Sequence, residues 1–152
     1  MELKELIKNL ARALKKNRIK YMIIGGQAVL IYGEPRMTKD IDITIGLDIN
    51  GLEKLKKIIK ELNLKIIPKN YKKFLEETMV LPTIDEKTKI RIDFIFSFSN
   101  YEKEALKRVK KIKVDEVKVN YASIEDLVIH KIIAGRKRDL EDVKSILLKN
   151  KK

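Results

Sequence analysis

From Asp40 to Ile45 the chain alternates Asp40, Asp42 and Thr44 with Ile41, Ile43 and Ile45. A period of two specifies a strand with one oily face and one acidic face. Side chains at i and i+2 of a strand point the same way, with their Cα atoms roughly 6–7 Å apart. Two carboxylates held that close repel, and one stays protonated unless a cation sits between them. A glycine pair, Gly25-Gly26, follows the apolar stretch Tyr21–Ile24, and 13 residues separate it from Asp40. A phosphate-binding turn ahead of a carboxylate pair points to metal-assisted chemistry on a nucleotide.

At 152 residues the chain fits one domain with a real core. Hydrophobic content of 44% beside charged content of 38% fits a soluble globular protein. No apolar run approaches the ~18 residues of a membrane span, and the stretch Met1 to Leu6 does not read as a signal peptide. A cytoplasmic location is the default expectation. Cysteine is absent, which excludes disulfides and thiolate metal sites. The net charge of +13 admits a nucleic-acid partner. The lysines are scattered, however, and a Lys/Ile/Glu skew equally fits a solvated thermostable surface. Charge alone does not choose between these.

Leu3, Leu6, Ile7, Leu10 and Leu14 follow a helical period, so the N-terminal stretch is read as an amphipathic helix. Tyr21–Ile24 reads as a short buried strand. Gln27 to Tyr32 reads as a short helix broken at Gly33-Glu34-Pro35. Leu52, Leu55, Ile58, Ile59 and Leu62 define another helix, and Leu64 to Ile67 a short strand ended by Pro68. Lys69 to Leu75 reads as a basic loop. Strands are expected from Thr78 to Leu81 and from Lys89 to Phe96, and a helix from Tyr101 to Val109. Lys111–Val114 and Val117–Tyr121 form a hairpin pattern around Asp115-Glu116. Ser123 to Asp126 resembles a capping box and opens a helix to about Ala134, with a last helix near Arg138 to Leu148. Mixed elements with hairpins define a single α+β domain spanning 1–152.

Asp93 is the third acid at a strand centre, facing away from Ile92 and Phe94. If its strand neighbours the Asp40/Asp42 strand, three carboxylates converge as hard oxygen ligands suited to Mg²⁺ or Mn²⁺. Two such ions activate a hydroxyl and stabilise a departing pyrophosphate. Decoration of exposed strand faces is the plain alternative, although aspartate is depleted in strands. Lys131 falls within the apolar stripe of Ile124, Leu127, Val128 and Gly135. It must either snorkel to water or meet an anion such as a triphosphate, with Arg136 close by. Arg36 and Thr38 precede the acidic pair and are candidates for phosphate contact. His130, the lone histidine, lies off the stripe and is expected at the surface. Asp139 and Asp142 open the last helix, where the macrodipole favours acids, so a capping role is expected.

Gly25-Gly26, then Arg36-x-Thr38-x-Asp40-Ile41-Asp42, then Arg91-Ile92-Asp93 resemble the nucleotidyltransferase superfamily of the DNA polymerase β type. Its minimal members include antitoxins paired with HEPN-domain toxins and the AbiEii-like toxins. The segment from Ser123 to Asp142 is similar to the helices that close such members. The resemblance implies a mixed sheet flanked by helices, with two Mg²⁺ ions on Asp40 and Asp42 and Asp93 as third acid, helping to deprotonate the acceptor hydroxyl. It implies further that Gly25-Gly26 holds the triphosphate and that Lys131 matches the family's helix lysine. The helices from about residue 123 would thus complete the nucleotide site. Gln27 departs from the Ser or Thr of many members. The function implied is transfer of a nucleoside monophosphate from an NTP to a hydroxyl of a protein, a tRNA or a small molecule. A HEPN-type toxin is one partner implied, and a toxin–antitoxin system one setting. The other reading is a non-catalytic module that keeps the fold and binds a nucleotide or partner.

Overall fold

The computed structural model describes residues 2–25, 40–97 and 99–150. The expected helix from Gln27 to Tyr32 and its break at Gly33-Glu34-Pro35 lie outside these residues. Helix α1 (Glu2–Lys16) carries the leucine stripe, and Leu6, Leu10 and Leu14 are buried in the core. Each buried leucine contributes roughly 1.5–3 kcal/mol relative to exposure. Strands β1 (Tyr21–Ile24) and β2 (Asp40–Ile45) follow, then a 3₁₀ turn at Ile49–Gly51 and helix α2 (Leu52–Glu61), which buries Leu52, Leu55, Ile58 and Ile59. Strand β3 (Lys65–Ile66), helix α3 (Tyr71–Thr78), and strands β4 (Val80–Asp85) and β5 (Ile90–Phe96) come next. Helix α4 (Asn100–Ala105), extended by a 3₁₀ turn at Leu106–Arg108, precedes the hairpin of β6 (Lys110–Val114) and β7 (Val117–Tyr121). Helices α5 (Ile124–Ala134) and α6 (Lys137–Lys149) end the described chain.

The described strands form one seven-stranded mixed sheet in the order β3-β4-β5-β2-β1-β7-β6. Strand β2 is central, antiparallel to β1 and parallel to β5. With helices flanking this sheet, the expected α+β architecture is observed.

The register of β2 against β5 pairs Ile41 with Ile92, Asp42 with Asp93 and Ile43 with Phe94. Oily positions therefore meet oily positions across the two strands, and acid meets acid. A slip by one residue would turn Asp93 into the core and Phe94 out, so the hydrophobic pattern fixes the register. Along the acidic face of β2, Thr44 is fully buried, Asp42 half-buried and Asp40 exposed. The face thus opens toward the start of β2, beside the end of β1.

One expected loop is a helix. Tyr71–Thr78 is helical where Lys69 to Leu75 reads as a basic loop, and the following strand starts at Val80 rather than Thr78. Leu75 alone is buried on that helix, so the lysine run conceals a narrow Tyr71/Phe74/Leu75 stripe. Its C-cap is Met79 in the left-handed region (φ 61°), a position where the usual glycine stop signal is missing. Among the described residues no helix is long and apolar enough to cross a membrane.

Candidate active site

Parallel neighbouring strands run about 4.8 Å apart, so the register pair Asp42 and Asp93 presents two carboxylates side by side on the open face. Asp40 lies two residues along the same face and is the register partner of Arg91. The two acidic strands are therefore neighbours, which meets the condition for their acids to share one face. Arg91 turns toward Asp93, donating from Nη2 at 3.2 Å and Nε at 3.3 Å to Asp93 Oδ1. This arginine, two residues from Asp93 on the same face, is a cation that sequence reading left without a role.

Burial pushes the Asp42 carboxyl above the ordinary carboxylate value, and the negative charges of Asp93 and Asp40 add to it. Lys131 and Arg136 pull in the other direction. Burial likewise raises Asp93 against the pull of Arg91, with Asp40 adding to the rise. Both acids are thus held in a place that disfavours their charge.

The end of β1 explains one glycine. Gly25 adopts φ +71°, and a Cβ built on it would overlap Asp42 Oδ2 and lie 3.1 Å from Asp42 Cβ and Cγ. Only a residue without a side chain lets the chain turn here against the carboxylate. Gly26, Gln27, Arg36 and Thr38, the remaining candidates for phosphate contact, lie outside the described residues.

Lys131 is neither snorkelling nor open to solvent. Its side chain is 7% exposed, and Nζ lies 3.3 Å from Asp139 Oδ1 and 3.2 Å from Asp142 Oδ2. Asp139 also accepts from Arg136 Nη2 at 3.1 Å and from the Arg136 backbone N–H at 3.3 Å. Asp139 is therefore a cap, as expected, but a fully buried one that also binds two cations. Asp142, expected to cap, is instead a buried counter-ion for Lys131. Their spacing of three residues, opposite a lysine in an apolar stripe, is the signal that would have found them.

His130 is not a surface residue. It is half-buried, its ring centroid lies 5.7 Å from that of Tyr101, and burial pushes the imidazole below its usual value. Nε2 finds no hydrogen-bond partner among the described residues. Nearby, Asp126 fastens α5 to α4: it accepts from Tyr101 Oη at 2.6 Å, Arg108 Nη2 at 2.8 Å and Ser123 Oγ at 2.9 Å.

The donor set at the open face suits hard divalent cations: carboxylates only, two in register and one two residues away. Among the described residues no three acids already stand close enough to hold a single ion. Arg91 pairs with Asp93 Oδ1 at 3.2 Å, and like-charged carboxylates on one face repel one another. The residues therefore fit a metal in the chemistry of their donors.

Folds of this design are nucleotidyltransferase folds. The structure superposes on an antigenic nucleotidyltransferase-like protein from Paracoccidioides brasiliensis with a TM-score of 0.65 at 18% identity, covering 97% of this chain and 76% of that one. The antibiotic-resistance factor ANT(2'')-Ia gives 0.66 at 13% identity over 95% of this chain and 82% of that one. The lincomycin-bound lincosamide antibiotic adenylyltransferase LnuA gives 0.64 at 14% identity over 93% and 94%. No curated protein matches the sequence. Over residues 1–151 the chain matches the family described as nucleotidyltransferase of unknown function (DUF6036), and it belongs to that family.

Proposed function

We propose that the protein transfers a nucleoside monophosphate from an NTP to a hydroxyl acceptor with release of pyrophosphate. The observation that carries this is the register pairing of Asp42 with Asp93, with Asp40 on the same face and Gly25 against Asp42. Asp40, Asp42 and Asp93 would hold Mg²⁺ or Mn²⁺, which when bound neutralises triphosphate charge and acidifies the acceptor hydroxyl. Asp93, its carboxyl raised by burial, would take the proton as the acceptor oxygen bonds to the α-phosphorus and the bond to the β-phosphate bridge breaks. The backbone after β1 approaches the acids at Gly25, where a triphosphate would lie. Lys131 and Arg136 lie within electrostatic reach of Asp42 at the α5–α6 junction. Lys131 is committed to Asp139 and Asp142, and the exposed Arg136 is the cation that would reach a triphosphate. In this reading the helices after residue 123 complete the nucleotide site.

The acceptor is a protein side chain, a tRNA end or a small molecule, and a HEPN-type toxin in a toxin–antitoxin pair is one such protein. The test is incubation with each α-labelled NTP and Mg²⁺ over RNA and protein acceptors, wild type beside Asp40→Asn. Label transfer that Asp40→Asn abolishes supports the reading. NTP binding with no transfer to any acceptor would leave a nucleotide-binding module instead.

A further inference from the structure

At the opposite end of β1 from the acids, the sheet opens. Strands β1 and β7 share a single register pair, Ile23 with Tyr121. Below it, Tyr21 inserts its phenol, whose oxygen accepts the Asn120 backbone N–H at 3.1 Å. A cavity of about 300 Å³ lies there, lined by Lys15, Arg18, Lys20, Lys111 and Lys118, with no acid on its wall. None of these five cations has an ion pair among the described residues. Lys4 and Lys8 pair with Asp115, Lys16 with Glu61 and Lys65 with Glu86, whereas lysines such as Lys54, Lys57 and Lys73 on exposed helix faces also lack an ion pair among the described residues. What sets the five apart is that they share one concavity.

Arg18 carries a second sign. Helix α1 ends in a Schellman arrangement, with Ile19 N–H donating to Leu14 O at 2.9 Å and Arg18 N–H to Lys15 O at 3.0 Å. Arg18 occupies the left-handed position (φ 56°) where glycine is unstrained. A bulky residue there costs on the order of 1 kcal/mol, and Arg18 is one of the residues that line the cavity. Lys20 also lines the adjoining cavity of about 430 Å³ beside Gly46, where Lys103 and Lys107 stand with Asp48 and Glu104 and Lys107 pairs with Glu104. Lys20 O accepts the Gly46 N–H at 2.7 Å, which places it level with the end of β2.

We propose that this cavity binds the phosphate backbone of a nucleic-acid acceptor, an assignment that rests on the transferase reading above and names its acceptor class. Five uncompensated cations around one concavity repel each other, and a polyanion relieves them. From Gly46 to Asp40 is six strand residues, or ~20 Å. That is the length of about six stacked nucleotides at ~3.4 Å each, enough for a strand anchored at the cavity to bring its terminal hydroxyl to the acids.

The test measures binding of a fluorescent 20-nucleotide single-stranded RNA by anisotropy between 0.05 and 0.3 M salt, without NTP. Wild type is compared with Lys15→Gln/Arg18→Gln/Lys111→Gln/Lys118→Gln and with Lys54→Gln/Lys57→Gln/Lys60→Gln/Lys73→Gln, which removes equal charge from exposed sites on α2 and α3. The cavity variant is expected to bind at least ~10-fold more weakly, with a log–log salt slope shallower by about 3, and the control to change less than ~3-fold. Equal losses in both variants, or no binding by wild type, would overturn the assignment. So would displacement of RNA by inorganic tripolyphosphate at matched phosphate concentration, which would mark a small-anion pocket. Should the quadruple variant not fold, Lys111→Gln and Lys118→Gln on the exposed hairpin are each expected to lower the slope by about 0.7, and an unchanged slope refutes the site. RNA binding by wild type with no label transfer to that RNA or to any other acceptor counts against the transferase reading and not against this cavity.

Discussion

Gly25 rests against the carboxylate of Asp42, so closely that a methyl group added to the glycine would overlap Asp42 Oδ2. The turn after β1 and the acid at the centre of β2 are thus one unit, although 16 residues separate them in the chain.

Gly25→Ala is expected to lose stability by two routes: the left-handed backbone, at about 1–2 kcal/mol, and displacement of Asp42. Gly135→Ala provides the comparison. It shares a positive φ of 65°, but its nearest neighbours to an added Cβ are carbonyl oxygens at 3.6 and 3.9 Å. Urea unfolding should show the larger loss at Gly25, and only Gly25→Ala should abolish NMP transfer. Equal losses would mean that the approach to Asp42 is slack.

Asp42 sits where burial, Asp93 and Asp40 all oppose its charge. Asp42→Asn should therefore stabilise the protein in chelator, by about 0.5–2 kcal/mol, while eliminating transfer. Mg²⁺ should raise the melting temperature of wild type and leave that of Asp42→Asn unchanged. A variant less stable than wild type in chelator would show that the carboxylate is supported rather than strained.

Lys131 bridges two buried aspartates. Removing it leaves Asp139 and Asp142 buried with less compensation, so Lys131→Met should lose about 3–5 kcal/mol. Adding Asp142→Asn to that variant should recover part of the loss in urea unfolding. If Lys131→Met abolishes transfer with no stability change, the lysine acts on the nucleotide alone.

Asp126 is buried, which opposes its ionisation, but hydrogen bonds from Arg108, Tyr101 and Ser123 outweigh burial and hold it below the ordinary 3.8. The same carboxylate keeps the Tyr101 phenol protonated, pushed up to about 12 chiefly by burial and by this bond. A depressed carboxylate contributes stability that is present above its unfolded value and lost as pH falls through the folded one. Asp126→Asn should cost about 1–3 kcal/mol at neutral pH, and the gap to wild type should close below pH 3.8. A gap that stays constant to pH 2 would assign the loss to packing.

Much of the fold is legible in the chain because its signals are local. The leucine stripe of α1, the alternation in β2 and β5, and the hairpin around Asp115-Glu116 are periodicities any short window contains. Helix α3 escapes such reading because only Leu75 anchors it and Met79, not glycine, ends it. The acids were legible for the same reason: aspartate on an isoleucine strand stands out wherever the strand lies.

What the sequence by itself determined is that Asp40, Asp42 and Asp93 lie on strand faces opposite to the oily ones, since strand period and hydrophobicity leave no other arrangement. Only the tertiary structure decided which residues face each other. The β2–β5 register set Asp42 beside Asp93, the turn at Gly25 closed on Asp42, and Lys131 found its anions in Asp139 and Asp142. The physical reason is that a lysine in an apolar stripe demands an anion without naming it. Coulomb attraction carries no sequence address, and the partner is whichever carboxylate the packing of α6 against α5 brings within about 3 Å.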